Sequence, residues 1–158
     1  MIQVGETIPA ATITVIDQDG QNNVSADQYF ANKKAVLIAL PGAFTPTCSE
    51  AHLPGYVVNY DAIKAKGVDL VACLSVNDAF VMKAWQNAQN AENIAMIADG
   101  GGALTQAMGL VLETGDFGGA RSQRYSMIIE NGKVTHLNLE EGGGFEVSDA
   151  ETILTQLG

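Results

Sequence analysis

Basic residues are scarce in this 158-residue chain: 8 Lys and Arg stand against 18 Asp and Glu, a formal net charge of −10. Nucleic acids and anionic membrane surfaces are held by cationic footprints, so this acidic balance excludes both as the main partner and suits a soluble protein. Cysteine is scarcer still. Two residues, Cys48 and Cys73, are too few for a disulfide scaffold and are expected to be free thiols at rest in a reducing compartment. No apolar run approaches the roughly 18 residues of a membrane-spanning helix. The opening residues Met1 to Glu6 have neither the basic start nor the apolar stretch of a secretion signal, so the expected location is the cytoplasm. Internal repeats, linkers and long polar tracts are also missing. The glycine clusters at 100–102, 115–119 and 142–144 match neither a Gly-x-Gly-x-x-Gly turn nor a phosphate loop with its lysine, which leaves nucleotide binding without support.

What remains is the composition of a packed core, with 47% hydrophobic and 16% charged residues. A chain of this length buries roughly 70% of the surface its unfolded form exposes, and residues 1–158 read as one domain. Ala11 to Ile16 has the pattern of a strand ending in a turn at Asp19-Gly20, with Ser25 a cap for a short helix carrying Tyr29 and Phe30. The runs Ala35 to Leu40 and Val68 to Ser75 are almost wholly apolar, as parallel strands buried on both faces must be. Between them the pattern is helical through Lys66, with a kink expected at Pro54. Asp78 is placed to cap a helix carrying Phe80, Val81, Ala84, Trp85 and Ala88. Ile94 to Ile97 reads as a strand, Ala103 to Met108 as a helix closed by Gly109, and Asn131-Gly132 as the turn of a hairpin from Tyr125 to Leu139. A helix from Asp149 to Leu157 completes an α/β order that fits a thioredoxin-like fold, a central mixed sheet flanked by helices.

The run Pro41-Gly42-Ala43-Phe44-Thr45-Pro46-Thr47-Cys48 leads from the carboxyl end of a buried strand into a helix, the edge at which open α/β sheets bind ligands. In the first helical turn, free N–H groups and the helix dipole favour a thiolate, so Cys48 is either a reactive cysteine or one more small buried hydrophobe. A hydroxyl at Thr45 can donate to that sulfur or to an oxygen atom approaching it, and Pro41 and Pro46 stiffen the loop while removing two competing donors. No second cysteine stands at Cys-x-x-Cys spacing, which argues against an ordinary dithiol exchange centre.

A thiolate is stabilised by a fixed cation, and the chain has two arginines, Arg121 and Arg124. Spacing alone does not choose between them, although Arg121 reads first as a solvated residue in a surface ion pair. His52 falls one helical turn after Cys48, where it can assist ionisation or make a purely structural hydrogen bond. Cys-x-x-x-His is also half of a metal site, but the other soft ligands are only Cys73 and His136, so no metal is expected. The stretch Gly109 to Gly119 is more apolar than a free loop should be and is suited to covering the site or meeting another subunit.

Pro41-x-x-x-Thr45-x-x-Cys48 followed by Ser49-Glu50-Ala51-His52-Leu53-Pro54-Gly55-Tyr56 closely resembles the peroxidatic site of peroxiredoxins, in particular the atypical type II (peroxiredoxin 5) subfamily and its bacterial glutathione- and glutaredoxin-dependent members. The resemblance continues through Val71 to Trp85 and Arg124 to Val134. It implies reduction of hydrogen peroxide and organic hydroperoxides through a sulfenic acid at Cys48, with no metal or organic cofactor. It maps the family's arginine, threonine and proline onto Arg124, Thr45 and Pro41, while Gly42, Thr47 and His52 are the expected substrate contacts. The segment where some relatives carry a resolving cysteine is here Gly142 to Val147 and has none. Cys73 matches a second cysteine of plant-type and some bacterial relatives but lies mid-strand, so it is either a resolving thiol for a thioredoxin-linked cycle or an inert core residue. A one-cysteine cycle resolved by glutathione or glutaredoxin is the favoured expectation, the alternatives being the Cys73 cycle and a redox-sensing binding module in which oxidation switches a partner surface. The resemblance further implies a homodimer, with Phe44 and Phe117 either at its contact or within the monomer's own core.

Overall fold

A computed structural model describes residues 1–158. Seven strands form one mixed sheet in the order β2-β1-β5-β4-β3-β8-β9: β1 Thr12–Asp17, β2 Gly20–Ser25, β3 Lys34–Ala39, β4 Leu70–Ser75, β5 Ala95–Ala98, β8 Tyr125–Glu130 and β9 Lys133–Leu139. The three apolar runs become the parallel centre, β3 beside β4 beside β5, and antiparallel pairs finish both edges. Alternation along β3 sends Val36 and Ile38 to one face and Ala35, Leu37 and Ala39 to the other, so each face nucleates its own core. The first core takes in residues of α2 (Leu53–Val58), α3 (Tyr60–Lys64), α4 (Ala79–Ala88) and α6 (Ala150–Leu157); the second takes in α5 (Ala103–Met108) and residues of and beside α1 (Ala26–Tyr29). Anchors such as Trp85, Leu53 and Phe30 are fully buried, each contributing about 2–3 kcal/mol of apolar transfer.

The local signals largely hold. The Asp78 carboxylate accepts from the Val81 N–H at 2.9 Å, and Gly109 ends α5 at φ 71°. Asn131 and Gly132 both take positive φ, as the hairpin turn requires. Two expectations need correction. Residues 20–25 form β2 as well as leading to α1, and the Ser25 hydroxyl donates to the Asp27 carboxylate instead of capping a backbone N–H. Phe80 is exposed, because its apolar ring lies on the outer side of α4. The apolar stretch Gly109 to Gly119 runs through β6 (Val111–Glu113) to the start of β7 (Ala120–Ser122), and the two strands pair as a hairpin apart from the main sheet.

The stretch after β3 is helical from Pro46, widens into a π-helical turn at Cys48–His52, and returns to α-geometry in α2. Here the kink expected at Pro54 takes its form. Pro54 cannot donate to a carbonyl four residues back, and the N–H of Leu53 reaches five back to Cys48 O.

Candidate active site

Register brings the site together. Ala39, at the end of β3, pairs with Tyr125, the first residue of β8, so Arg124 stands beside the loop that runs from Pro41 to Cys48. On its other side Arg124 meets the end of β9, where the Glu140 N–H donates to Arg124 O at 3.0 Å. The loop itself is held by Thr45 N–H to Gly42 O and Ser49 N–H to Thr45 O, and by the Asn77 side chain on Ala43 N–H. Within it Phe44 adopts φ 65°, a left-handed conformation that costs a non-glycine residue about 1 kcal/mol or more. The indole N–H of Trp85 donates to Ser49 Oγ at 3.0 Å and ties the Cys48 turn to α4.

Cys48 is 1% exposed, with its sulfur in the core between loop and sheet. The Arg124 guanidinium reaches it directly, Nη2 donating to Sγ at 3.2 Å, while Nη1 donates to His52 Nδ1 at 2.9 Å. The opposite edge of that imidazole, Nε2, donates to Ser148 O at 3.1 Å. Burial first, and the Arg124 charge second, push the His52 pKa down to about 3, against a weaker upward pull from Ser148 O, Glu140 and Asp149. His52 is therefore neutral, with its proton on Nε2 and a lone pair on Nδ1 for the arginine. Phe145 lies against both partners, its ring 5.1 Å from the imidazole and 6.0 Å from the guanidinium carbon.

The choice between the two arginines is thereby made. Arg121 spends its donors on backbone, Nε on Gly118 O at 3.0 Å and Nη1 on Val76 O at 3.3 Å, and forms neither a bond to Cys48 nor a surface ion pair. His52 acts on Arg124, not on the thiol. The Thr45 hydroxyl donates to Gly42 O at 2.6 Å and makes no bond to the sulfur. Pro41 walls a cavity of about 140 Å³ shared with Arg124 and Glu140. Gly42 is buried at a close approach, since a Cβ there would sit 3.2 Å from Thr45 Cγ2. Thr47 is exposed and makes none of these contacts.

Cys73 is fully buried in β4 between its register partners Ile38 and Met96, and burial drives its thiol far above the ordinary range. Both cysteines are free. No three His, Cys, Asp or Glu side chains gather as a metal cluster. Phe44 and Phe117 are 57% and 72% exposed, so neither belongs to the monomer's core. Ser148 and Glu140, which no sequence motif marks, join Tyr56 and Phe145 around His52: Ser148 O accepts from both His52 and Tyr56, and Phe145 lies against the imidazole.

A nearly encapsulated cysteine sulfur with a fixed cation at hydrogen-bond distance can attack a small electrophile and hold an oxygen-bearing one in place. Comparison with known proteins points the same way. The Redoxin family model matches residues 3–154. Peroxiredoxin-2D of Arabidopsis thaliana is 45% identical over 159 residues, 99% of this chain and 98% of that protein. The reduced Prx3 of Vibrio vulnificus, solved in complex with hydrogen peroxide, is 59% identical with a TM-score of 0.97 over the whole of both chains. The antioxidant protein of Plasmodium falciparum, a 1-Cys peroxiredoxin, is 29% identical with a TM-score of 0.92, covering 99% of this chain and 98% of that one.

Proposed function

The chain belongs to the Redoxin family and is a peroxiredoxin, a thiol-dependent peroxidase; from that membership we propose a one-cysteine cycle on Cys48, of the type II kind, that reduces hydrogen peroxide and organic hydroperoxides. The observation that carries it is the 3.2 Å bond from Arg124 Nη2 to the buried Cys48 Sγ. The Cys48 thiolate attacks the terminal oxygen of the peroxide; an S–O bond forms, the O–O bond breaks, and the leaving oxygen takes up a proton to depart as water or alcohol. Arg124 keeps its charge through the reaction and has donors left over for the two oxygens as negative charge moves onto the leaving one. Thr45, Gly42 and Pro41 shape the approach, with Thr47 at the rim and His52 holding the arginine.

The sulfenic acid is then condensed with glutathione or a glutaredoxin thiol, releasing water, and a second thiol frees Cys48 from the mixed disulfide. Central burial of Cys73 supports this over a cycle in which Cys73 resolves and thioredoxin reduces, since exposing Cys73 would open the β3-β4-β5 ladder. No metal or organic cofactor is called for. Two unpaired thiols suit a reducing compartment such as the cytoplasm, and the exposed Phe44 and Phe117 suit the contact of a homodimer.

Intact mass after one equivalent of hydrogen peroxide, without added thiol, tests the cycle. Gain of one oxygen, trapped by a sulfenic-acid reagent at Cys48 and abolished in Cys48→Ser, is the expected result. Loss of two hydrogens would make Cys73 the resolving partner, and no change would refute a peroxidatic Cys48.

A further inference from the structure

Glu140 is 6% exposed and has no cationic partner, the one ion pair in the fold being Lys34 with Glu130. Its carboxylate is instead filled by backbone. Glu146 N–H donates to both oxygens, at 3.0 and 2.9 Å, while Val147 N–H, Ser148 N–H and Ser148 Oγ donate to Oε2 at 2.9, 2.8 and 2.7 Å. Burial alone would raise its pKa, but these donors outweigh it and hold the carboxyl below its ordinary range. The chain reaches this nest through Gly142 to Gly144, where Gly142 takes φ 59° and a Cβ on Gly144 would meet Glu141 O at 3.2 Å.

With Ser148 held at its N–H and its hydroxyl, its carbonyl faces the other way and accepts from Tyr56 Oη at 2.7 Å and His52 Nε2 at 3.1 Å. That fixes the ring, its tautomer and so the Nδ1 lone pair that holds Arg124. Glu140 also holds Arg124 from behind through its own N–H. We propose that Glu140 is a positioning residue: by gathering the 146–148 backbone it sets Ser148 O, and through His52 it aims the Arg124 guanidinium at Cys48. A carboxylate placed directly on Arg124 would neutralise the charge the sulfur needs. Turned onto neutral N–H groups, it stiffens the site and leaves that charge free.

The proposal rests on the peroxidase reading, and its test separates the two. Single-turnover oxidation of Cys48 by hydrogen peroxide is followed by mass in the full chain and in Glu140→Gln, Arg124→Gln and the double variant. An unsubstituted chain that does not react refutes the peroxidase reading. Where it reacts, Glu140→Gln sets an amide NH₂ against backbone N–H groups and slows oxidation about tenfold, but less than about twofold further in the Arg124→Gln background, because the two act as one unit. An unchanged rate in Glu140→Gln, or the same loss with and without Arg124, overturns the role of Glu140 alone. Should Glu140→Gln not fold, Glu140→Asp, which keeps the charge and retracts it by one methylene, is put through the same cycle with about a threefold loss expected and the same two refuting outcomes.

Discussion

Acid destabilises this fold through His52 before it reaches the carboxylates. The imidazole titrates near 6.5 in an unfolded chain and about 3 in the folded one. Between those values the unfolded state binds a proton that the native state refuses, so stability falls as pH falls. From pH 7.5 to 5.0 the separation amounts to 1.5 pH units below the unfolded value, or about 2 kcal/mol from this one group. Glu140 and Asp149, whose carboxyls hydrogen bonds hold below their ordinary range, stabilise the fold above the unfolded carboxylate pKa and lose that contribution only in stronger acid, below about pH 4.5. The window above pH 5 therefore isolates histidine, and His136 on β9 is the only other one. Urea unfolding at pH 7.5 and 5.0 is compared between the parent and His52→Asn, which does not titrate but keeps a donor and an acceptor. The parent is expected to lose about 2 kcal/mol more than the variant over that span. Equal losses would show that His52 takes up a proton freely in the folded state, and the neutral acceptor for Arg124 would be wrong.

Two further outcomes follow from the geometry. Arg124→Lys keeps a positive charge but replaces a planar fork by a point, which cannot serve Sγ and His52 Nδ1 at once; stopped-flow oxidation of Cys48 by peroxide is expected to slow about 100-fold, and a rate within a factor of two of the parent would refute the bridging role. With Phe44 and Phe117 both largely exposed, the chain at micromolar concentration is expected to elute at the volume of a dimer and Phe117→Glu at that of a monomer, whereas a monomeric parent would refute the contact.

How much of this was legible beforehand depends on how each part is specified. The parallel centre of the sheet was plain because runs such as AVLIAL need burial on both faces. Pro41, Thr45 and Cys48 could be singled out together because one short stretch of chain carries all three with the turn that holds them, but position alone left Cys48 open between a reactive thiol and a buried hydrophobe. Arg124 was legible only by resemblance: its place beside Cys48 depends on the pairing of β8 with β3, across 76 residues of chain. Thr45 shows the limit of residue type as a guide, since a hydroxyl in that position has several acceptors within the loop's reach and only the folded turn shows that it meets Gly42 O.

Glu140 was hidden for a more particular reason. Counting back from the Asn131-Gly132 turn, Glu130 pairs with Lys133 and Ile129 with Val134, so an unbroken ladder would set Leu139 opposite Arg124. The ladder is broken between Ile128 and Ile129: Ile128 pairs with His136, Thr135 is left over, and the Thr135 hydroxyl bonds to Ile128 O at 3.2 Å. That one extra residue advances β9 so that Tyr125 meets Leu139 and Glu140, not Leu139, arrives at Arg124. A bulge four residues along β8 from Arg124 thus decides whether an apolar side chain or a carboxylate stands behind that arginine. Alternation of apolar residues along a strand carries no mark of it, since a bulge is a property of two paired strands and not of either alone.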